Sequence, residues 1–206
     1  MFETKLKPHL ETILSAIASK IVKIGITANM VTLSGLFVNL IATFYVAKGQ
    51  FVVSGILILF GGSFDMIDGA VARAQKNPQA PGALLDSVID RYSEGLLFLG
   101  FLIYFYSLES PLGIVLAFGA WFGSILVSYV RARAESLQIT CKVGLMQRPE
   151  RITLLAAGTL LQGALHKFPI LHKPGMILLC TLGILTLTSH ITAIHRLIFS
   201  YQELRR

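Results

Sequence analysis

The 206-residue chain reads as an all-α membrane protein, with six transmembrane helices behind an N-terminal amphipathic helix that lies on the interface. Three features point there. Hydrophobic residues make up 54% and charged residues 14%, against about 25% charged in an ordinary soluble domain, and mean hydropathy is +0.69. The apolar residues gather in six stretches, 30–47, 51–64, 95–108, 110–130, 152–165 and 174–195. Lys and Arg are shared very unevenly between the two sets of segments that flank those stretches.

Residues 1–23 carry Leu10, Ile13, Leu14, Ile17 and Ile21 at helical spacing, with Lys7, Glu11, Lys20 and Lys23 between them. That pattern predicts an interfacial helix rather than a cleavable signal peptide. Stretches 30–47, 110–130 and 174–195 are long enough to cross the roughly 30 Å hydrocarbon layer unaided. The other three have 14 residues each, only ~21 Å of helix, so each must continue through charge. The run 51–64 continues through Asp65 and Asp68, 95–108 begins near Asp86 and Asp90, and 152–165 begins near Arg148 and Arg151. All three extensions fall at one membrane face, about 10 Å or less inside the boundary. Charged helix ends converging at one depth predict a polar cavity rather than charge exposed to lipid.

Fifteen of the 18 Lys and Arg residues lie on that same side, and Lys48, Lys167 and Lys173 on the other. The positive-inside rule makes the crowded side cytoplasmic, with both termini inside the cell and a plasma-membrane location. The net charge of +7 is then orientation bias plus anion binding. A nucleic-acid binder would carry its basic residues on a soluble domain, and no segment is long enough to be one. Cys141 and Cys180 are far apart and show no metal-ligand spacing, and no disulfide is expected. The five histidines show no such spacing either; His190, inside a span, reads as a packing residue. Without a linker, repeat or low-complexity segment, residues 1–206 read as one domain.

The most informative segment runs from Asp65 to Asp90: Asp65-x-x-Asp68-Gly69-x-x-Ala72-Arg73, eight residues, then Gly82-x-x-x-Asp86-x-x-x-Asp90. Spacings of three and four put each aspartate pair on one helical face. The short link from Ala74 to Pro81, with Pro78 and Pro81, predicts that the two helices are antiparallel neighbours. Four facing carboxylates cannot all stay ionised in a low dielectric without cations. Mg²⁺ or Mn²⁺ suits an all-oxygen site that keeps positions open for phosphate. Gly69 and Gly82 leave room for a ligand at the backbone, and Arg73 is a fork-shaped phosphate donor. A single aspartate here would read as a helix cap. Eight specified positions at fixed spacing, at ~5–8% background each, arise by chance about 10⁻¹⁰ per start site.

This stretch resembles the signature of the CDP-alcohol phosphatidyltransferases at all eight fixed positions, and the six-span layout extends the resemblance over nearly the whole chain. The resemblance implies a six-helix membrane fold, a homodimer, and two divalent cations per active site at the cytoplasmic face. It implies transfer of a phosphoalcohol from a CDP-linked donor to a hydroxyl acceptor, with release of CMP. Asp65, Asp68, Asp86 and Asp90 would be metal ligands, and Asp90 also the general base. The segment Ala28-Asn29-Met30-Val31-Thr32 is similar to the family's Pro-Asn-x-x-Thr, with Ala28 in the proline's place. Contacts to the CDP-lipid would come from Asn29, Val31, Thr32, Gly69, Arg73 and Gln79. Read alone, Asn29 and Thr32 would be helix N-cap residues.

The acceptor is read from a second cluster. Arg131 ends the fourth span within Arg131-Ala132-Arg133-Ala134-Glu135, Arg148 opens the fifth within Arg148-Pro149-Glu150-Arg151, and Arg196 ends the sixth. Three arginines from three helices could cradle a phosphate on the acceptor; singly, each would read as flanking positive charge. The pattern resembles the phosphatidylinositol-phosphate synthase branch, which uses inositol 1-phosphate, here with Arg131 in the place of lysine. The donor would be CDP-diacylglycerol or an archaeal isoprenoid CDP-lipid. Glycerol 3-phosphate, the acceptor of phosphatidylglycerophosphate synthases, is the closest rival because it too carries a phosphate. A cation transporter could also bury four carboxylates. It leaves Gly69, Arg73 and Gly82 without a role, and an arginine beside the site repels cations.

Overall fold

The computed structural model describes residues 3–75, 80–165 and 174–205. Within them the chain forms seven helices and no strand: α1 Glu3–Lys23, α2 Ala28–Ala47, α3 Phe51–Ala74, α4 Ala80–Ser107, α5 Pro111–Ser136, α6 Arg148–Leu165 and α7 Met176–Glu203. Four of them, α2, α3, α5 and α7, are long and apolar enough to cross a membrane. Helices α4 and α6 carry the charged extensions predicted for them and fall outside that set on composition.

Local chemistry accounts for the starts. Thr27 caps α2 by accepting a hydrogen bond from the Met30 amide at 3.4 Å. Ser110 caps α5 in the same way, accepting from the Gly113 amide at 3.3 Å, with Pro111 in the first turn. The cap of α2 is thus Thr27, while Asn29 and Thr32 sit inside the helix.

The core lies between α2, α3, α4, α5, α6 and α7, around Val46, Ile58, Phe98, Phe101, Phe105, Ala117, Leu155 and Leu182. Several buried hydroxyls in these helices bond back to carbonyls of their own helix. Thr43 donates to Asn39 O at 2.8 Å and Thr159 to Leu155 O at 2.7 Å, which satisfies both within the low-dielectric core. Large apolar side chains such as Phe37, Phe44, Ile56, Phe60, Leu187 and Ile194 face outward along α2, α3 and α7. On a water-soluble surface that stripe would be costly; against lipid it is the solvated face.

Two expectations change. Helices α3 and α4 both pack on α2 rather than chiefly on each other. Glycines permit this: a Cβ on Gly61 would stand 2.7 Å from Asn39 Oδ1, and one on Gly100 would stand 2.8 Å from the Thr43 carbonyl. Helix α1 also packs into the protein. Its Leu14, Ala18, Ile21 and Val22 close on Val31, Ala70 and Val71, so its apolar face meets α2 and α3.

Candidate active site

The charged ends of α3 and α4 and the start of α2 enclose a cleft of about 700 Å³, lined by Thr27, Asn29, Thr32, Asp68, Gly69, Gly82 and Asp86, among others. Asp68 is buried and accepts a hydrogen bond from Thr32 Oγ1 at 2.8 Å. Gly82 faces Asn29, whose Oδ1 would be 3.3 Å from a Cβ placed there. At Gly69 the nearest obstacle to a Cβ would be Arg73 Nη1, at 3.5 Å. The segments around Asn29, Gly69 and Gly82 therefore line one cavity, although they lie far apart in sequence.

The other two aspartates are held from across the fold. Arg148, at the start of α6, donates through Nη1 to Asp65 Oδ2 and lies 3.0 Å from Asp90 Oδ1. Arg91 holds the second oxygen of Asp90 at 3.1 Å. Asp86 lies within electrostatic range of Asp65, Asp68 and Asp90, so the four carboxylates form one charge system. They do not converge as a closed metal cage: among the described residues no three His, Cys, Asp or Glu side chains are gathered tightly enough to hold an ion. Mutual repulsion keeps carboxylates apart until cations neutralise them, and here one guanidinium already draws Asp65 and Asp90 together. The donor set itself fits a hard divalent cation: oxygen atoms only, with a positive charge already standing between two of them.

Two predicted contacts, Val31 and Arg73, lie outside the cleft lining. Val31 does not line the cleft, because its apolar side chain is buried with Ala18, Ala70 and Val71. Arg73 is exposed beside Gly69 rather than inside the cleft. Gln79 lies outside the described residues. Of the predicted acceptor arginines, only Arg148 touches the carboxylates. Arg131 pairs with Glu135 at 2.8 Å on the exposed side of α5. Arg196 is buried and donates to the carbonyls of Val143 and Val127, both at 2.8 Å, while remaining within electrostatic range of Arg131 and Arg151. Its guanidinium therefore shapes the loop between α5 and α6.

Glu94 is a residue of this region that no motif in the sequence singles out. It makes a two-pronged, buried ion pair with Arg151, with N–O distances of 2.8 and 3.1 Å. The clue was present: Glu94 is four residues after Asp90, hence on the same face of α4, but it borders the apolar run and reads as its edge.

Residues 25–196 match the CDP-alcohol phosphatidyltransferase family. The chain is 34% identical over 199 residues to the archaetidylinositol phosphate synthase of Methanothermobacter thermautotrophicus, covering 97% of this chain and 94% of that protein. It is 35% identical over 158 residues to the phosphatidylinositol phosphate synthase of Corynebacterium glutamicum, covering 74% and 71%. The crystal structure of Mycobacterium tuberculosis phosphatidylinositol phosphate synthase with CDP-DAG bound superimposes with a TM-score of 0.80 at 28% identity, over 92% of this chain and 94% of that one. The same enzyme in complex with manganese and citrate gives 0.79 at 28% identity, over 91% and 88%. With the signature aspartates on two helix ends, Asp68 and Asp86 lining one cleft, and the family matched over residues 25–196, this membrane protein belongs to the CDP-alcohol phosphatidyltransferases.

Proposed function

We propose that the chain transfers a phosphatidyl or archaetidyl group from a CDP-linked lipid to inositol 1-phosphate and releases CMP. In this reading residues 1–206 act as one membrane domain, α2 to α7 are the six transmembrane helices, the protein is a homodimer, and the cleft opens to the cytoplasm. The basic residues crowded at the carboxylate end support that orientation.

Asp65, Asp68, Asp86 and Asp90 would hold two Mg²⁺ or Mn²⁺ ions, whose charge would offset that of the diphosphate and the departing CMP. The chain's own residues do the rest. Asn29, Thr32 and the open backbone at Gly69 and Gly82 shape the wall against which the nucleotide end of the donor lies. Arg73, at the rim, is free to reach a donor phosphate. Asp90 takes the proton of the acceptor hydroxyl, and that oxygen attacks the lipid-side phosphorus in line with the leaving CMP.

The observation that carries the choice of acceptor is Arg148. It brings a guanidinium from α6 to the general base, and its own Nε is buried without a partner. If Arg148 exchanges its carboxylate partners for the acceptor's phosphate, Asp90 is released at the moment its substrate arrives. Arg131 and Arg196 lie on neighbouring helix ends and complete the positive field.

The test is CMP release by purified protein with CDP-diacylglycerol, or with an archaeal CDP-lipid, and each of inositol 1-phosphate, inositol, glycerol 3-phosphate and serine. Inositol 1-phosphate should be used in strong preference. Equal use of free inositol or serine would refute the phosphate-binding reading, and preference for glycerol 3-phosphate would move the chain to the phosphatidylglycerophosphate synthases.

A further inference from the structure

Helices α4 and α6 are tied by two side-chain rungs. The outer rung is Asp90 with Arg148, 3.0 Å apart and partly exposed. The inner rung is Glu94 with Arg151, and its side chains are only 4% and 2% exposed. Asp90 and Glu94 are four residues apart on α4, and Arg148 and Arg151 three apart on α6, so each pair shares one helical face. The inner rung is saturated. Arg151 gives Nε and Nη2 to the two oxygens of Glu94, and Nη1 to the Met146 carbonyl at 3.2 Å. The Met146 amide in turn donates to Thr192 Oγ1 on α7 at 3.3 Å. The first turn of α6 is thereby held from α4, from its own preceding loop and from α7.

A buried ion pair is a poor source of net stability, since desolvation consumes much of its attraction. What this pair does supply is a fixed register between two helices that otherwise meet little. Arg148, one turn along α6, has the opposite character. It is partly exposed, it contacts two carboxylates through Nη1, and its Nε is unpartnered. A side chain that must change partners during a reaction needs a backbone that does not move.

We propose that Glu94 is a positioning residue for the acceptor: acting through Arg151, it sets the start of α6 so that Arg148 stands over Asp90. This rests on the reading that Arg148 binds the acceptor's phosphate. A misplacement of 1 Å costs on the order of 10²-fold in such geometries, so loosening the inner rung acts on acceptor use more than on the donor, which binds between α2, α3 and α4.

The experiment uses full-length protein in lipid nanodiscs and compares Glu94→Gln, Arg148→Gln and the double variant. For each, KM is measured separately for inositol 1-phosphate and for CDP-diacylglycerol, together with the thermal midpoint. Gln keeps the volume of Glu but cannot hold both prongs of the guanidinium. Glu94→Gln should raise the acceptor KM at least about tenfold, within the ~10²-fold scale of misplacement, and leave the donor KM within about twofold. In the Arg148→Gln background the same change should add almost nothing, because residues acting through one another are not additive. Glu94→Asp, which keeps the charge but shortens the reach, should show the same acceptor-specific effect and serves if the Gln variant does not fold. A lowered midpoint with unchanged acceptor KM, an equal rise in both KM values, or effects that multiply in the double variant would each overturn the proposal. If Arg148→Gln alone leaves the acceptor KM unchanged, the acceptor reading falls and this inference with it.

Discussion

Thr32→Val isolates one hydrogen bond at the centre of the site. Thr32 is buried, and its single hydroxyl proton has two acceptors within reach: Asp68 Oδ2 at 2.8 Å and the Ala28 carbonyl at 3.1 Å. The carboxylate is both closer and charged, so it takes the proton. Valine has nearly the same shape and the same β-branching, so it leaves no cavity and little change in helix preference. What is lost is the donor that orients Asp68. A hydrogen bond to a charged group contributes about 1.5–3 kcal/mol, or about 10- to 150-fold in affinity at 1.36 kcal/mol per decade. Loss of a group that orients a metal ligand costs 10–100-fold in metal affinity, so the two scales agree. Mn²⁺ binding to the purified variant, followed by the electron paramagnetic resonance signal of free Mn²⁺, should weaken by about 10- to 100-fold. Thr32→Ser keeps the hydroxyl and should bind close to wild type. A valine variant that binds Mn²⁺ normally, or a serine variant as impaired as valine, would refute the role given to this bond.

Asp90→Asn should lower turnover by at least ~10²-fold, the scale for removing a general base, with donor KM little changed; near-normal CMP release at saturating metal would take Asp90 out of that role. Gly100→Ala would set a Cβ 2.8 Å from the Thr43 carbonyl, an atom fixed in the backbone of α2. Overpacking of this kind costs about 1–3 kcal/mol, so the thermal midpoint in detergent should fall, and an unchanged midpoint would refute the close approach of α2 and α4.

Hydropathy alone marks α2, α5 and α7, because a membrane-crossing helix must be apolar over a length set by the bilayer. The aspartate signature is equally legible, since its spacing is local: positions three and four apart share a helical face whatever surrounds them. The short apolar runs 51–64, 95–108 and 152–165 imply that α3, α4 and α6 run through charge, as they do on to Ala74 and from Ala80 and Arg148. Other features were not readable. Val31 sits in a motif beside two cleft residues, yet the rotation of α2 turns it into the packing against α1 and α3. Arg131, Arg148 and Arg196 look equivalent as helix-end arginines, but one pairs on the surface, one reaches the carboxylates and one is spent on the carbonyls of Val143 and Val127. Sequence by itself determined which residues are charged, which faces are apolar and that four carboxylates belong together. Only the tertiary structure decided which cation meets which carboxylate. That choice depends on how closely helices approach, and the approach is set by contacts such as Gly61 on Asn39 and Gly100 on Thr43, which join residues far apart in the chain.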